Sequence, residues 1–332
     1  MLIVAAIFIA IATSSVFSQT PTPSPNPALA PAVKLVRDGE NQKALDALKR
    51  AVKENKRDGE AWYYLGIVHL QLGDFKKAAD AFKKAVEMRQ DLAAQAQAGY
   101  AYALVLRNKL DSASVAANKA LAIDPKNVEA LYTLGIVDLR KGAKDEVIKI
   151  ADSIIALNPN FAAAYLLKSQ AFVSHTAGVS YPNYDASKSE RQLNYKSAAE
   201  ALEKYIQLET NKRAAQPWKE QLETLKFYLG DKGDGPEVYT GRQVTTKARL
   251  LSKPEPVYTK AAREEQIVGT VVLKCVFAAD GTVRHILVVQ SLPNGLTEQS
   301  IVAAKKIKFV PATFNGKPVS MWMQLEYNYN LY

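Results

Sequence analysis

The sequence predicts a multidomain α + (α+β) protein: a solenoid of helical hairpins followed by a small β-β-α-β domain. Three observations predict it. A degenerate unit restarts at residues 25, 59, 94, 128 and 162, at spacings of 34 or 35 residues. The pairs Asp124-Pro125 and Asn158-Pro159 stop a helix at matching points of that unit. Beyond residue 252 the apolar period changes from about 3.6 to 2, as strands require.

The elements follow in chain order. Residues 2–12, LIVAAIFIAIA, form an unbroken apolar run with no Lys or Arg before it. The run precedes Val16 and Ser18, small residues that suit a signal cleavage site before Gln19. A spanning helix needs about 20 apolar residues, so a cleaved secretory signal over residues 1–18 is favoured and a retained signal anchor stays open. Either state carries the chain out of the cytoplasm, and the periplasm is the expected compartment. Residues 19–32 hold Pro21, Pro23, Pro25, Pro27 and Pro31, which read as an extended spacer.

Residues 33–230 are the repeat array. One unit shows Trp62, Leu65-Gly66, His69, Gly73-Asp74, Ala78, Phe82 and Ala85. Later units show Tyr100-Ala101, Ala113, Ala117 and Ala120, then Leu134-Gly135, Gly142 and Ala151, then Tyr165 and Phe172. Small residues recur where two helices must approach closely. This chain resembles the tetratricopeptide (TPR) repeat proteins over residues 25–230. The last unit is interrupted between Val173 and Tyr195, where Tyr181 and Tyr184 are candidate loop anchors for a partner. Its second helix is expected from Lys196 to Leu208, and a capping helix from Ala214 to Leu229. By register, Tyr63, Ile67, Leu70, Tyr102, Tyr132, Ile136 and Arg140 project into the concave groove. A second protein in that groove is one expectation; a plain spacer or dimer scaffold is the other.

Residues 231–252, rich in glycine and mixed charge, read as a linker. Residues 268–277 then alternate as a strand, Asp280-Gly281 marks a tight turn, and residues 283–290 return. A helix is expected over residues 296–308 and a third strand over 319–329. Pro256-Val257-Tyr258, Gly269-Thr270-Val271, Asp280-Gly281-Thr282-Val283, Val289-Gln290-Ser291, Phe309-Val310-Pro311-Ala312 and Gly316-Lys317-Pro318-Val319 stand in the order typical of TonB C-terminal domains. The resemblance covers residues 253–332, with Thr259 where that family has a proline. It implies a periplasmic, TonB-like energy transducer that binds a peptide segment of outer-membrane TonB-dependent transporters by adding it as a strand to its sheet. Met321, Met323, Leu325, Tyr327 and Tyr329 are the expected contributors of edge backbone groups. A homodimer through the same strand is the competing pairing. Inner-membrane motor proteins join the partners only if the N-terminus is an anchor. No His or charged residue lies between Leu2 and Phe17 to meet them. The alternative function is a periplasmic TPR scaffold for envelope assembly, with no transport role.

Composition narrows the classes. The 332 residues carry 43 Lys+Arg against 33 Asp+Glu, a net charge of +10, which favours acidic partners without selecting one. Nucleic acid is not among the expected partners. Cys275 is the one cysteine, so no intrachain disulfide forms. His69, His175 and His285 share no ligand spacing, and no nucleotide-binding or nucleophile motif is present. Neither a cofactor nor an enzymatic activity is expected.

Overall fold

The computed structural model describes residues 26–176, 186–230 and 237–331, less the side chains of residues 90, 186–189 and 213. The apolar segment 2–17 and the anchors Tyr181 and Tyr184 lie outside the described residues. Among those described, no helix is long and apolar enough to cross a membrane. The chain divides into two compact units at residues 167/168.

The first unit is a run of antiparallel helices: α1 (Ala30–Arg37), α2 (Asn41–Glu54), α3 (Gly59–Gln71), α4 (Phe75–Met88), α5 (Ala93–Leu106), α6 (Leu110–Ile123), α7 (Val128–Lys141), α8 (Lys144–Leu157) and the start of α9 (Ala162–His175). First helices begin at 59, 93, 128 and 162, within a residue of the starts read from sequence. Local chemistry sets those starts. Asp58 accepts the Ala61 N–H at 3.0 Å, and Asn127 accepts that of Ala130 at 2.9 Å. The spacer is shorter than its prolines suggest. Pro27–Leu29 is a 3-10 turn and α1 begins at Ala30, because proline is tolerated in a first helical turn. Leu29, Ala32 and Val33 are buried there.

Glycine sets the helix spacing. A Cβ on Gly66 would lie 2.8 Å from the Phe82 ring, and one on Gly99 would lie 2.6 Å from it. The ring of α4 is therefore clasped between two first helices with no room for a methyl group. Gly135 meets Leu167 in the same way, at 2.5 Å.

The second unit begins with the rest of α9 and continues through α10 (Ala186–Leu208) and α11 (Lys212–Tyr228). Helix α10 starts ten residues before the expected Lys196. Residues 186–195 lack proline and glycine and hold good helix formers, so nothing ends the helix there. The linker assignment also changes. Its last residues form β1 (Val238–Tyr239) and β2 (Arg249–Ser252), which pair with strands further on. The remaining elements are α12 (Lys260–Glu264), β3 (Gly269–Phe277), β4 (Val283–Gln290), α13 (Leu296–Lys305), β5 (Lys308–Val310), β6 (Ala312–Phe314) and β7 (Lys317–Tyr329). The main sheet has the order β1-β7-β3-β4, with β6 folded back on the start of β7; β2 and β5 form a separate pair.

Turn chemistry is as the sequence requires. Gly281 has φ +82°, and Asn315 and Gly316 have φ +51° and +78° between β6 and β7. Thr259 caps α12 by accepting the Ala262 N–H at 3.2 Å, a role open to a hydroxyl and closed to the proline of the resembling family. Helix α13 has Gly295 at its N-cap and no side-chain cap; the Thr297 hydroxyl bonds the backbone of Leu292.

Candidate functional site

The sheet has two faces and two edges, and each is treated differently. On one face the odd residues of β3 (Val271, Leu273, Cys275 and Phe277) meet Ala303 and Ala304 of α13, with Leu325, Tyr327 and Tyr329 of β7. Burial raises the Cys275 thiol far above its ordinary pKa, which makes it a packing residue with no thiolate chemistry. The other face carries Val272, Lys274 and Val276, and helices of this same unit cover it. Lys274 is 4% exposed, and its ammonium donates to the Thr176 carbonyl at 2.5 Å, near the C-terminal end of α9. Trp322 packs on Phe227 and Tyr228 of α11, with ring centroids 5.7 and 4.6 Å apart.

The edges follow from hydrogen-bond alternation. In an antiparallel ladder the N–H and C=O of one residue leave the same side of the strand, and the side alternates along it. The Thr270 carbonyl accepts from the side-chain amide of Gln290, on the β4 side, at 3.0 Å, and the outward Ile286 carbonyl and Val288 N–H leave Leu287 turned to its partner Lys274. Even residues of β3 thus turn toward β4, and Gly269, Val271, Leu273 and Cys275 turn toward β7. The unbroken register pairs these four with Tyr329, Tyr327, Leu325 and Met323. The backbone groups of those residues are consumed inside the sheet. Met321 is taken as well, opposite Phe277, and Tyr239 of the parallel strand β1 faces the outward groups that flank it, the Ser320 carbonyl and the Trp322 N–H. The five edge residues expected from sequence are therefore displaced by one position. The outward row left without a strand is Gln324, Glu326 and Asn328. Period 2 makes the shift complete: a strand that faces one way at every odd residue faces the other at every even one.

Among the described residues, no strand pairs the outer side of β7 beyond Met321. Five residues, 324–328, span about 17 Å at roughly 3.3 Å per residue. Among the described residues, one side chain bonds a backbone group of this row. Lys253 donates to the Glu326 carbonyl at 2.8 Å, with its ammonium 4.6 Å from the Tyr327 ring centre. The side chains of Gln324, Glu326 and Asn328 are exposed or nearly so, and Gln324 donates to Glu326 at 2.9 Å. Burial pushes the Tyr327 and Tyr329 hydroxyls up to about 12, so both stay neutral near pH 7.

The residues expected to line the helical groove are mostly covered. Tyr63 and Tyr102 are 1% exposed, Tyr132 is 5% exposed, and Ile67 and Leu70 are buried. This corrects the reading of an open, tyrosine-lined surface. First helices α3 and α5 are apolar on nearly every side, so register alone could not separate groove from core. The aromatic rings form contacts along the unit: Tyr63 with Phe82, Tyr102 with Tyr132, and Tyr132 with Phe161. Ile136 and Arg140 remain half-buried. Arg140 donates to the Val105 carbonyl at 3.0 Å, and desolvation lowers its pKa to about 10, which leaves it charged.

Comparison with known proteins agrees with the two-part organisation. Residues 254–331 match the C-terminal domain of the Gram-negative bacterial TonB protein. Residues 28–160 match the TPR domain of cytochrome c-type biogenesis protein H. A probable assembly chaperone of rpl4 from Schizosaccharomyces pombe is 36% identical over 124 residues, 36% of this chain and 35% of that protein. The BBSome complex member BBS4 of Bos taurus is 26% identical over 137 residues, 41% of this chain and 26% of that protein. The chain thus spans about a third or less of the length of these curated relatives. Similar solved structures include a thermophilic TPR protein of Thermus thermophilus, 19% identical, covering 58% of this chain and 95% of that one with a TM-score of 0.47. PilW, a type IV pilus biogenesis factor, is 20% identical, covering 61% and 96% with a TM-score of 0.44. The chain joins two protein-interaction modules, a TPR domain and a TonB-type C-terminal domain.

Proposed function

We propose that this chain works in the cell envelope and binds an extended segment of an outer-membrane transporter by strand addition along β7. The observation that carries this reading is the outward backbone row at Gln324, Glu326 and Asn328, with no strand beside it among the described residues. An added strand would satisfy those donors and acceptors with its own main chain, while side-chain contacts on alternate residues would select its sequence. The match of residues 254–331 to the TonB C-terminal domain supports it. The apolar run at residues 2–12 supports export, with the periplasm as the working compartment. The helical array serves as a second protein-binding surface, and Arg140 suits an acidic group there. No enzymatic step is assigned to the chain.

Amide hydrogen exchange on the full chain tests the reading. A synthetic peptide copying the periplasm-facing end of a transporter from the same cell should slow exchange at Gln324, Glu326 and Asn328. The amides of Met323, Leu325 and Tyr327 should be slow with or without it. Slowing confined to the helical array would favour the non-transport scaffold and remove the docking role of β7. Mass determination of the mature N-terminus from fractionated cells tests export, and a mature chain that keeps Met1 in the cytosol would refute it.

A further inference from the structure

A sheet with two outer strands ordinarily offers two edges to a foreign strand. In this sheet β4 is the other outer strand, and its edge is occupied by a helix. The side-chain amide of Gln221 on α11 donates to the Ile286 carbonyl at 3.0 Å, and its oxygen accepts the Val288 N–H at 3.0 Å. These are the two outward groups that flank Leu287. One residue of a parallel neighbouring strand would bond that same pair, and the glutamine amide has the one donor and one acceptor needed to replace it. Gln221 is 8% exposed, so little water competes for the contact. Further along, Tyr228 donates to the His285 carbonyl at 3.4 Å, and Phe227 stacks on the His285 ring at 3.6 Å. The positive φ of His285, +48°, belongs to a bulge in β4, where Lys274 pairs with Leu287 and Val276 with Arg284.

We propose that Gln221 confines strand addition to β7, by closing the β4 edge against β4 of a second copy of this chain. The proposal rests on the reading of β7 as the docking edge. The occupant excluded is chosen from β4 itself. Its sequence VRHILVVQ is β-branched and carries one formal charge, and two such edges can pair antiparallel about a two-fold axis.

The experiment compares the full chain with Gln221→Met, which keeps volume and removes the amide, by sedimentation velocity across a concentration series. Self-association should strengthen at least tenfold in the variant. Adding Val288→Pro, which deletes one outward N–H of β4, should abolish that gain; adding Gln324→Pro on β7 should leave it intact. A folded Gln221→Met chain that associates no more than the parent overturns the proposal. So does a gain that Gln324→Pro removes and Val288→Pro does not. If Gln221→Met unfolds, Gln221→Glu takes its place, since it keeps the acceptor for Val288 but cannot donate to Ile286. A folded Gln221→Glu chain without added self-association also overturns the proposal. Failure of the β7 reading looks different: the transporter peptide leaves β7 exchange unchanged, whatever the association state.

Discussion

The two margins of the sheet, β4 and the part of β7 that runs beyond β1, have the same kind of backbone and opposite fates. Strand β4 is closed by two hydrogen bonds at the side-chain amide of a buried glutamine, one donated and one accepted, and by an aromatic stack. The outer side of β7 is touched by one lysine ammonium on one carbonyl. The difference lies in where the guard comes from. Gln221 sits on a helix whose other contacts already hold it in place, so little further entropy is lost when its amide binds. Lys253 is exposed, and fixing its long side chain costs rotamer freedom. One edge is shut by packing; the other is merely occupied, and a competing main chain can displace its guard.

The largest expected effect separates the two sides of β7 itself. Leu325→Pro removes an N–H directed to β3 and puts a ring inside the ladder, and should destabilise the sheet by about 3 kcal/mol or more. Gln324→Pro removes an outward N–H and should leave most of that stability in place while weakening transporter-peptide binding about tenfold or more. Denaturant titration together with calorimetric binding distinguishes them. Equal losses of stability would mean that the alternation assigned to β7 is wrong.

Next comes a contrast in charge between the two units. Glu129 of α7 is buried, and desolvation raises its carboxyl pKa to about 7. Between the ordinary value and 7 the folded state holds a proton that the unfolded state has lost. Stability from this group therefore increases as pH falls from 8 to 5. Glu129→Gln should stabilise the chain on the order of 1–3 kcal/mol at pH 8 and very little at pH 5. His285 at the β4 edge has the opposite sign. Burial lowers its pKa, so the unfolded state takes up the proton first and stability from this group falls as pH drops through about 6.5. Arg284 beside it acts in the same direction. The protection of the Val288 amide, taken relative to its intrinsic exchange rate at each pH, should fall between pH 7.5 and 5.5, and His285→Phe should remove that dependence. No matching change is expected along β7, where the Tyr327 and Tyr329 hydroxyls stay neutral over this range.

The smallest effect sharpens the comparison at its weak guard. Lys253→Met deletes the one side-chain bond on the outward row and keeps most of the aliphatic stem. Fold stability should change by less than about 1 kcal/mol, and peptide binding should tighten a few-fold at most. Isothermal titration at two salt concentrations measures this. A large loss of binding would show that the ammonium contacts the incoming segment and is not displaced by it.

Much of the fold was readable in the chain. The helix starts at 59, 128 and 162 follow from the repeat period, the small residues and the proline stops. The strands 269–277 and 283–290 follow from period 2 and an Asp-Gly turn. The edge was misread by one residue for an equally physical reason. Alternation of Met323, Leu325, Tyr327 and Tyr329 says which side chains share a face. It does not say which main-chain groups share an edge, because that depends on the partner strand and its register. The tyrosines of the helical array show the same limit, since an all-apolar helix carries no mark of its outer side.

Sequence alone was enough for what neighbouring residues decide: the repeat period, the proline stops, the Asp-Gly turn, and the order of strand, strand, helix, strand. Those features are local, and their energetics are settled within one or two turns of chain. Which edge stays open was decided by contacts between residues far apart in sequence: Gln221 with Ile286 and Val288, Thr270 with Gln290, and Tyr239 beside Met321. Hydrogen-bond saturation in a sheet is a property of pairs of strands, and a single strand's sequence contains only half of each pair.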